Sequence, residues 1–311
     1  MSANYDEAEA ADDDMMCSCC VACGVAEVDD IKLKECPDCG LVRYCSDKCQ
    51  REHRPQHKAI CKKRAAELRD EILFRQPESR DDGDCPICFL PLDADKSNIM
   101  MSCCSKNICD GCHYANHLRE VEERLQQTCP FCRHPPPETQ KEAHRNSMKR
   151  VAANDPVALR QMGKKHYLAG DHSGAFEYWT KAAELGDVVA HYNLSVMYRE
   201  GEGVEKDEKK EAYHLEEAAI AGHVRARYNL GINEGRNGRI DRAVKHWIIA
   251  ANLGDNNSIQ ALKECFKRGL ISKEDFAAAL RAHQAAVDAT KSPQREEAEK
   301  AVAAGEIRFS I

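Results

Sequence analysis

Ala182-Ala183-Glu184-Leu185-Gly186-Asp187 returns as Ala218-Ala219-Ile220-Ala221-Gly222-His223 and again as Ala250-Ala251-Asn252-Leu253-Gly254-Asp255. The three glycines stand 36 and 32 residues apart. A repeat of roughly 20 to 50 residues marks a solenoid, whose units bury their apolar faces against one another. Tyr192, Leu194 and Tyr198 in one copy, and Tyr228, Leu230 and Ile232 in the next, supply the large groups of a first helix. The alanines belong to second helices, where small side chains let backbones approach. Each glycine supplies the positive φ of a helix C-cap.

Residues 154–290 therefore read as an all-α array, with a degenerate fourth unit from Asp255. Ser272 and Asp275 predict a capping box for a helix ending at Ala289. Ser292-Pro293 opens a last helix, with proline where its missing donor costs nothing. An atypical final copy suits a solenoid end, which must shield one face from water. The fullest copy, Ala190 through Gly222, carries the loop Gly201-x-Gly203-Val204-x2-Asp207. On these segments the array resembles Sel1-like repeats, which are related to tetratricopeptide repeats; residues 154–186 and 223–254 are versions with shorter loops. The resemblance implies a concave surface that scaffolds protein complexes. Trp179, Tyr192, Tyr198, Tyr228 and Trp247 read as packing residues, and the histidines of the array, among them His223 and His246, as ordinary polar or half-buried groups.

The rest of the chemistry lies upstream. Seventeen of the eighteen cysteines fall between Cys17 and Cys132, mostly in pairs two residues apart. The first block reads Cys20-x2-Cys23, Cys36-x2-Cys39, Cys45-x3-Cys49 and His57-x3-Cys61, eight ligands and hence two tetrahedral Zn²⁺ sites. Thiolate-rich sets favour zinc or iron–sulfur over calcium or magnesium. A block this thin in apolar residues depends on its metal to fold. Cys17 and Cys19 stand outside the eight, either as exposed thiols at a disordered edge or as competing ligands.

Arg43-Tyr44-Cys45-Ser46-Asp47-Lys48-Cys49-Gln50, followed by His57-Lys58-x2-Cys61, resembles a MYND zinc finger. That resemblance implies an interleaved pairing, with Cys20, Cys23, Cys45 and Cys49 on one zinc and Cys36, Cys39, His57 and Cys61 on the other. It also implies a protein-binding module for proline-containing peptides, to whose groove Gln50 contributes. Arg54 stands where a tryptophan is usual, and a flexible cation lacks the rigid apolar face on which proline rings stack.

The second block contains Cys85-Pro86-Ile87-Cys88, the adjacent Cys103 and Cys104, Cys109-x2-Cys112 and Cys129-Pro130-Phe131-Cys132-Arg133. Residues 85–132 resemble a RING domain in all-cysteine form. The resemblance implies one zinc on Cys85, Cys88, Cys109 and Cys112, and another on Cys103, Cys104, Cys129 and Cys132, with His113 or His117 as a stand-in should one of the adjacent pair be spare. In RING ubiquitin ligases the positions of Ile87 and Pro130 form an apolar patch for a ubiquitin-conjugating enzyme, and that of Arg133 holds the loaded conjugate closed. Such a ligase has no nucleophile of its own and works by positioning. Against it, Leu118–Leu125 is rich in charge where a partner contact is expected.

All sixteen proposed ligand positions are Cys or His, so no coordination place is left for water and the four Zn²⁺ are structural. No residue is assigned a catalytic or organic-cofactor role. Acidic residues number 52 against 45 basic ones, for a formal charge of −7. Fifteen thiolates and four dications together take the loaded chain to about −14, a surface that repels nucleic acid. Met1–Met16 is acidic without the basic and apolar runs of a signal peptide, and no stretch has the roughly 18 apolar residues of a membrane span. The expectation is an intracellular protein, cytoplasmic or nuclear, whose partners are proteins and whose oligomeric state is open.

The expected architecture is multidomain, two small zinc-stabilised domains followed by an all-α Sel1-like or TPR-like solenoid. Its divisions are an acidic disordered tail at 1–16, a MYND-type finger at 17–61, a helix and linker at 62–84 and a RING-like finger at 85–133. A linker and helix start at 134–153, repeats at 154–290, and a C-terminal helix and tail at 291–311 complete it. The expected function is that of a scaffold or adaptor, with a RING-type ubiquitin-protein ligase as the alternative.

Overall fold

The computed structural model describes residues 19–92 and 98–305. The tail expected to be disordered at 1–16, Cys17 and the last six residues lie outside them. The chain divides into two compact units, Met1–Leu73 and Phe74–Ile311.

In the first unit, β1 (Lys34–Glu35) and β2 (Arg43–Tyr44) pair antiparallel, Lys34 opposite Tyr44. One long helix follows, α1 (Asp47–Leu73). A helix was expected only from Lys62, but it begins fifteen residues earlier and runs through Pro55. A helical proline removes a backbone donor and costs about 3 kcal/mol. Cys49, His57 and Cys61, at helical spacings of eight and four, hold the chain on either side of it, so α1 is the rod that carries three of the eight ligand residues. Here the apolar core is the cysteine clusters themselves, closed by Tyr44.

The second unit opens with the other cysteine block. Its hairpin pairs β3 (Ile99–Met101) with β4 (Lys106–Ile108), Ile99 opposite Ile108, and leads into α2 (Asp110–Glu122). After α3 (Gln140–Ala152), capped by Thr139, come the antiparallel pairs α4 (Pro156–Leu168) with α5 (His172–Glu184), α6 (Val188–Glu200) with α7 (Glu208–Ile220), and α8 (Val224–Arg236) with α9 (Ile240–Asn252). The fourth pair is α10 (Asn256–Lys267) with α11 (Lys273–Ala289).

The repeated Gly-Asp/His dipeptide builds each junction. Gly186, Gly222 and Gly254 have φ of 85°, 91° and 89°, which an L side chain resists. The next residue caps the following helix: Asp187 accepts from the N–H of Ala190 at 2.8 Å, His223 from Ala226 at 3.1 Å and Asp255 from Ser258 at 2.6 Å. The sequence offered His223 as an ordinary polar residue. Its alignment with Asp187 and Asp255 was the available sign that it is a cap.

Between helices, alanines 182, 218, 219, 226, 250 and 251 have no exposed surface. Trp179 and Trp247 serve as packing residues against glycine notches: a Cβ on Gly163 would lie 2.5 Å from the Trp179 ring, and one on Gly231 would lie 2.3 Å from that of Trp247. The last helix, α12 (Pro293–Ala303), opens at Ser292-Pro293 as the sequence predicts. It packs Ala298 and Ala301 on Tyr114 and Leu118 of α2. Gly111 makes room for it, since a Cβ there would lie 2.7 Å from the Arg295 nitrogen.

Gly231→Ala is expected to destabilise the second unit by about 1–3 kcal/mol through overpacking. Gly235→Ala, whose added Cβ would meet its nearest neighbour at 3.7 Å, is expected to be neutral or stabilising by up to about 1 kcal/mol. Urea unfolding of the two variants checks the contrast.

Candidate metal centres and repeat groove

Among the described residues four groups of ligand atoms gather, each with all its atoms within 4.8 Å of one another: Cys20, Cys23, Cys45 and Cys49; Cys36, Cys39, His57 and Cys61; Cys85, Cys88, Cys109 and Cys112; Cys103, Cys104, Cys129 and Cys132. All sixteen residues proposed as ligands stand in these groups; His113 and His117 stand in none of them. The sulfurs approach to 3.5 Å for Cys23–Cys45, 3.7 Å for Cys36–Cys61, 3.8 Å for Cys88–Cys109 and 3.4 Å for Cys103–Cys132. Sulfurs held about 2.3 Å from one tetrahedral ion lie roughly 3.8 Å apart, whereas disulfide sulfurs lie about 2.05 Å apart. The spacing fits Zn²⁺. Cys19 stands in none of these groups.

Each cluster sits where its chain turns. Cys103 and Cys104 share one because Ser105, at φ 55°, ends a tight turn in which its N–H donates to the Met101 carbonyl at 2.8 Å. Burial makes the thiols resist a second charge. Cys109, facing Cys85, and the half-buried Cys103 are both pushed up; burial pushes Cys112 and Cys61 to about 12 and Cys104 to about 11. Cys85 moves the other way, to about 4, because the Cys109 thiol and backbone N–H groups serve its thiolate. A dication lets all the thiols ionise together. Burial also holds His57 below its usual range, hence neutral, with Nε2 aimed at Cys39 across 3.2 Å.

Sequence reasoning missed Arg295. The residue is 5% exposed, and its guanidinium donates to the carbonyls of Pro91 and Thr290 at 2.7 Å and of Leu90 at 3.1 Å and lies 3.6 Å from the Cys88 sulfur. A buried cation beside a four-thiolate cluster offsets one of the two net negative charges that Zn²⁺ would leave there. Nothing in its local sequence, a helix of ordinary charged residues, marks it.

The expected partner-binding residues have different surroundings. Gln50 lines a groove of about 370 Å³ on the first unit together with Arg54, Lys58 and Lys62. Ile87 is 37% exposed, beside Phe89 at 77%, and Phe131 is 43% exposed. Pro130 is buried, so it braces the loop rather than presenting a patch. Arg133, with φ 62°, is exposed and donates to Asn116 Oδ1 at 3.1 Å. In the charged Leu118–Leu125 stretch, Glu120 is 4% exposed and accepts from the N–H and hydroxyl of Thr128, both at 3.0 Å. That charge anchors the loop leading to Cys129, while Val121 and Leu125 face outward.

The repeats enclose a second groove, of about 660 Å³, between α4, α6 and the start of α8. Tyr192 lies in it, stacked on His223 with ring centroids 4.4 Å apart. His223 Nδ1 accepts the cap hydrogen bond, which leaves the proton on Nε2, and burial lowers its pKa to about 4. Arg160 reaches Asp187 across 3.0 Å.

Residues 16–61 match the MYND finger family, and residues 156–187, 188–223 and 224–255 each match the Sel1 repeat. The DAP3-binding cell death enhancer 1 proteins of Mus musculus and Rattus norvegicus are similar over 180 residues at 26% and 24% identity, covering 45% of this chain and 35% of each relative. The chain thus spans about a third of the length of the curated relatives it matches. A Sel1 repeat protein from Oxalobacter formigenes aligns over 62% of this chain and 76% of its own, at 23% identity and a TM-score of 0.40. The protein is multidomain, with N-terminal zinc-finger motifs followed by an all-α Sel1-like helical solenoid. Among the described residues no helix is long and apolar enough to cross a membrane.

Arg295→Gln is expected to leave the helical content intact while speeding zinc release from the cluster of Cys85, Cys88, Cys109 and Cys112. A chromogenic chelator reads this as one Zn²⁺ of four released early. Equal release kinetics in the two proteins would remove Arg295 from the site.

Proposed function

We propose that the chain is a zinc-built protein-interaction scaffold: four structural Zn²⁺ fix two small domains, and the Sel1-like repeats hold a partner. The observation that carries this reading is the groove of about 660 Å³ on the repeats, a size suited to a peptide or side-chain cluster. The four clusters supply closed ligand sets with no place for a reacting water, which favours structure over catalysis. The curated relatives are named for binding another protein, and the similarity covers 45% of this chain, in keeping with protein binding as the class of function.

A second reading has a specific observation behind it. Ile87, Phe89 and Phe131 form exposed apolar surface on the second cysteine block, and Arg133 is exposed beside the last ligand. On this reading residues 85–133 are a RING-like domain that recruits a ubiquitin-conjugating enzyme, with Arg133 steadying the conjugate. Burial of Pro130 takes away one of the two expected contacts, so scaffolding stands first.

Metal analysis is expected to give four Zn²⁺ per chain, and chelation to unfold both cysteine blocks; two or fewer would defeat the structural reading. Partners captured by the immobilised full chain are expected to survive Ile87→Ala and to be lost on Asn193→Arg, which narrows the repeat groove. Capture indifferent to Asn193→Arg would move the function off the repeats. Stimulated ubiquitin discharge by the zinc-loaded chain, lost on Ile87→Ala and slowed by Arg133→Ala, would put the ligase first. For the first unit, proline-rich peptides are expected to bind at millimolar level or not at all, with Arg54→Trp improving them in a fluorescence titration.

A further inference from the structure

Composition marks residues 77–84 as a linker, yet the chain from Phe74 onward is built into the repeats. The Phe74 ring lies 4.7 Å from that of His246 and 4.7 Å beneath the Arg242 guanidinium. Gln76 accepts from Asn252 at 3.0 Å. The chain then passes over Gly222 so closely that an added Cβ would fall 2.5 Å from the Ser79 carbonyl oxygen. It turns through Arg80-Asp81-Asp82-Gly83, closed by the Gly83 N–H on the Arg80 carbonyl at 3.0 Å. The tip of that turn enters the repeat groove.

The seat is electrostatically mixed. The repeats line it with the cations Arg160, Lys164, Arg199 and Arg225 and the carboxylate Asp255; Asp187 and Glu200 already pair with Arg160 and Arg199, which leaves Lys164 and Arg225 as the cations for a ligand. The Asp81 side chain keeps 7% of its exposure, with Oδ2 3.9 Å from His223 Nε2, too far for a hydrogen bond. Burial pushes Asp81 up to about 6, and the adjacent His223 stays neutral. A permanent clasp would pair a carboxylate so deeply buried, because an unpaired one is costly. The groove holds its aspartate by the field of Arg80 and Arg160 and by the carboxylate's own backbone N–H, with no ion pair among the described residues closer than the 3.9 Å to His223, an arrangement suited to exchange.

We propose that the repeat groove is a binding site for an acidic peptide segment of a partner protein, and that the Arg80–Gly83 turn is its resident substitute, displaced when the partner binds. The proposal rests on the scaffold reading and adds the chemistry of the partner. A peptide is favoured over nucleic acid because the resident group is a pair of aspartates, and because Asp255 and the chain's formal charge of −7 oppose a phosphate backbone.

The test uses the full zinc-loaded chain and three fluorescein-labelled decapeptides, one of Asp, Glu and Ser, one of Ser and Gly, and one of Lys and Ser, followed by anisotropy. The acidic peptide alone is expected to bind, and to raise hydrogen exchange at residues 79–83. Asp81→Ser/Asp82→Ser is expected to bind it roughly tenfold tighter, the factor for a groove open in about a tenth of the molecules. Adding Lys164→Glu and Arg225→Glu is expected to abolish binding. Equal affinity for the native chain and the double serine variant would overturn the substitute role. Failure of the folded, four-zinc serine variant to bind the acidic peptide would overturn the partner chemistry, as would equal binding of a single-stranded oligonucleotide. If that failure came while Asn193→Arg still abolished partner capture, the scaffold reading would stand without the acidic ligand; loss of both would end it.

Discussion

Mutual repulsion among clustered thiolates governs both cysteine blocks. Fifteen thiols and one imidazole gather in four groups whose atoms lie within 4.8 Å of one another. Burial first, and neighbouring thiols with it, push Cys61, Cys103, Cys104 and Cys112 up, and a cation reconciles them. The apolar material around them is slight: Tyr44 closes the first pair of clusters, and Leu92 and Ile108 close one of the second pair. With Zn²⁺ in these clusters, folding and metal binding would be one event, because the ligand atoms are also the core.

In the second unit that constraint reaches beyond its own residues. Arg295, on the last helix, is separated from Cys88 by about two hundred residues and lies 3.6 Å from its sulfur. Its other donors hold the carbonyls of Leu90, Pro91 and Thr290. The guanidinium therefore ties the end of the chain to the loop that bears the first ligand pair of the block. A planar group with five donors can serve several carbonyls and a thiolate at once, which an ammonium on a single point of attachment cannot. The alanines opposite Tyr114 let α12 approach α2 closely enough for this reach.

The sequence made some of this legible and hid the rest, for physical reasons. Ligand spacing is a local property, so Cys-x2-Cys pairs announce themselves. The repeat is legible because the turn chemistry of Gly186, Gly222 and Gly254 must recur wherever the backbone does. The sequence marked a helix only from Lys62, yet α1 starts at Asp47 and runs through Pro55 because Cys49 and His57 hold the chain on both sides. Glu120 counted in the sequence only as one charge of the Leu118–Leu125 stretch. It is buried because Thr128 offers it two donors from the loop that follows α2, a pairing set by tertiary position and absent from any periodicity.

The segment 74–84 shows the limit most clearly. Polar, glycine-containing sequence reads as linker because it cannot assemble a core of its own. The repeats supply what it lacks: the His246 ring for Phe74, the Asn252 amide for Gln76, and the bare face of Gly222 for the backbone of Ser79. None of these contacts demands an apolar run or a period, so no local signal precedes them. The glycine is the one trace that the sequence could have offered. Gly186, Gly222 and Gly254 all satisfy the same backbone requirement, but only at Gly222 does another stretch of main chain come within 3 Å of where a Cβ would stand. A residue kept small for two reasons looks, in sequence, like one kept small for a single reason. The contact that joins the linker to the repeats is therefore concealed by the very regularity that reveals the repeats.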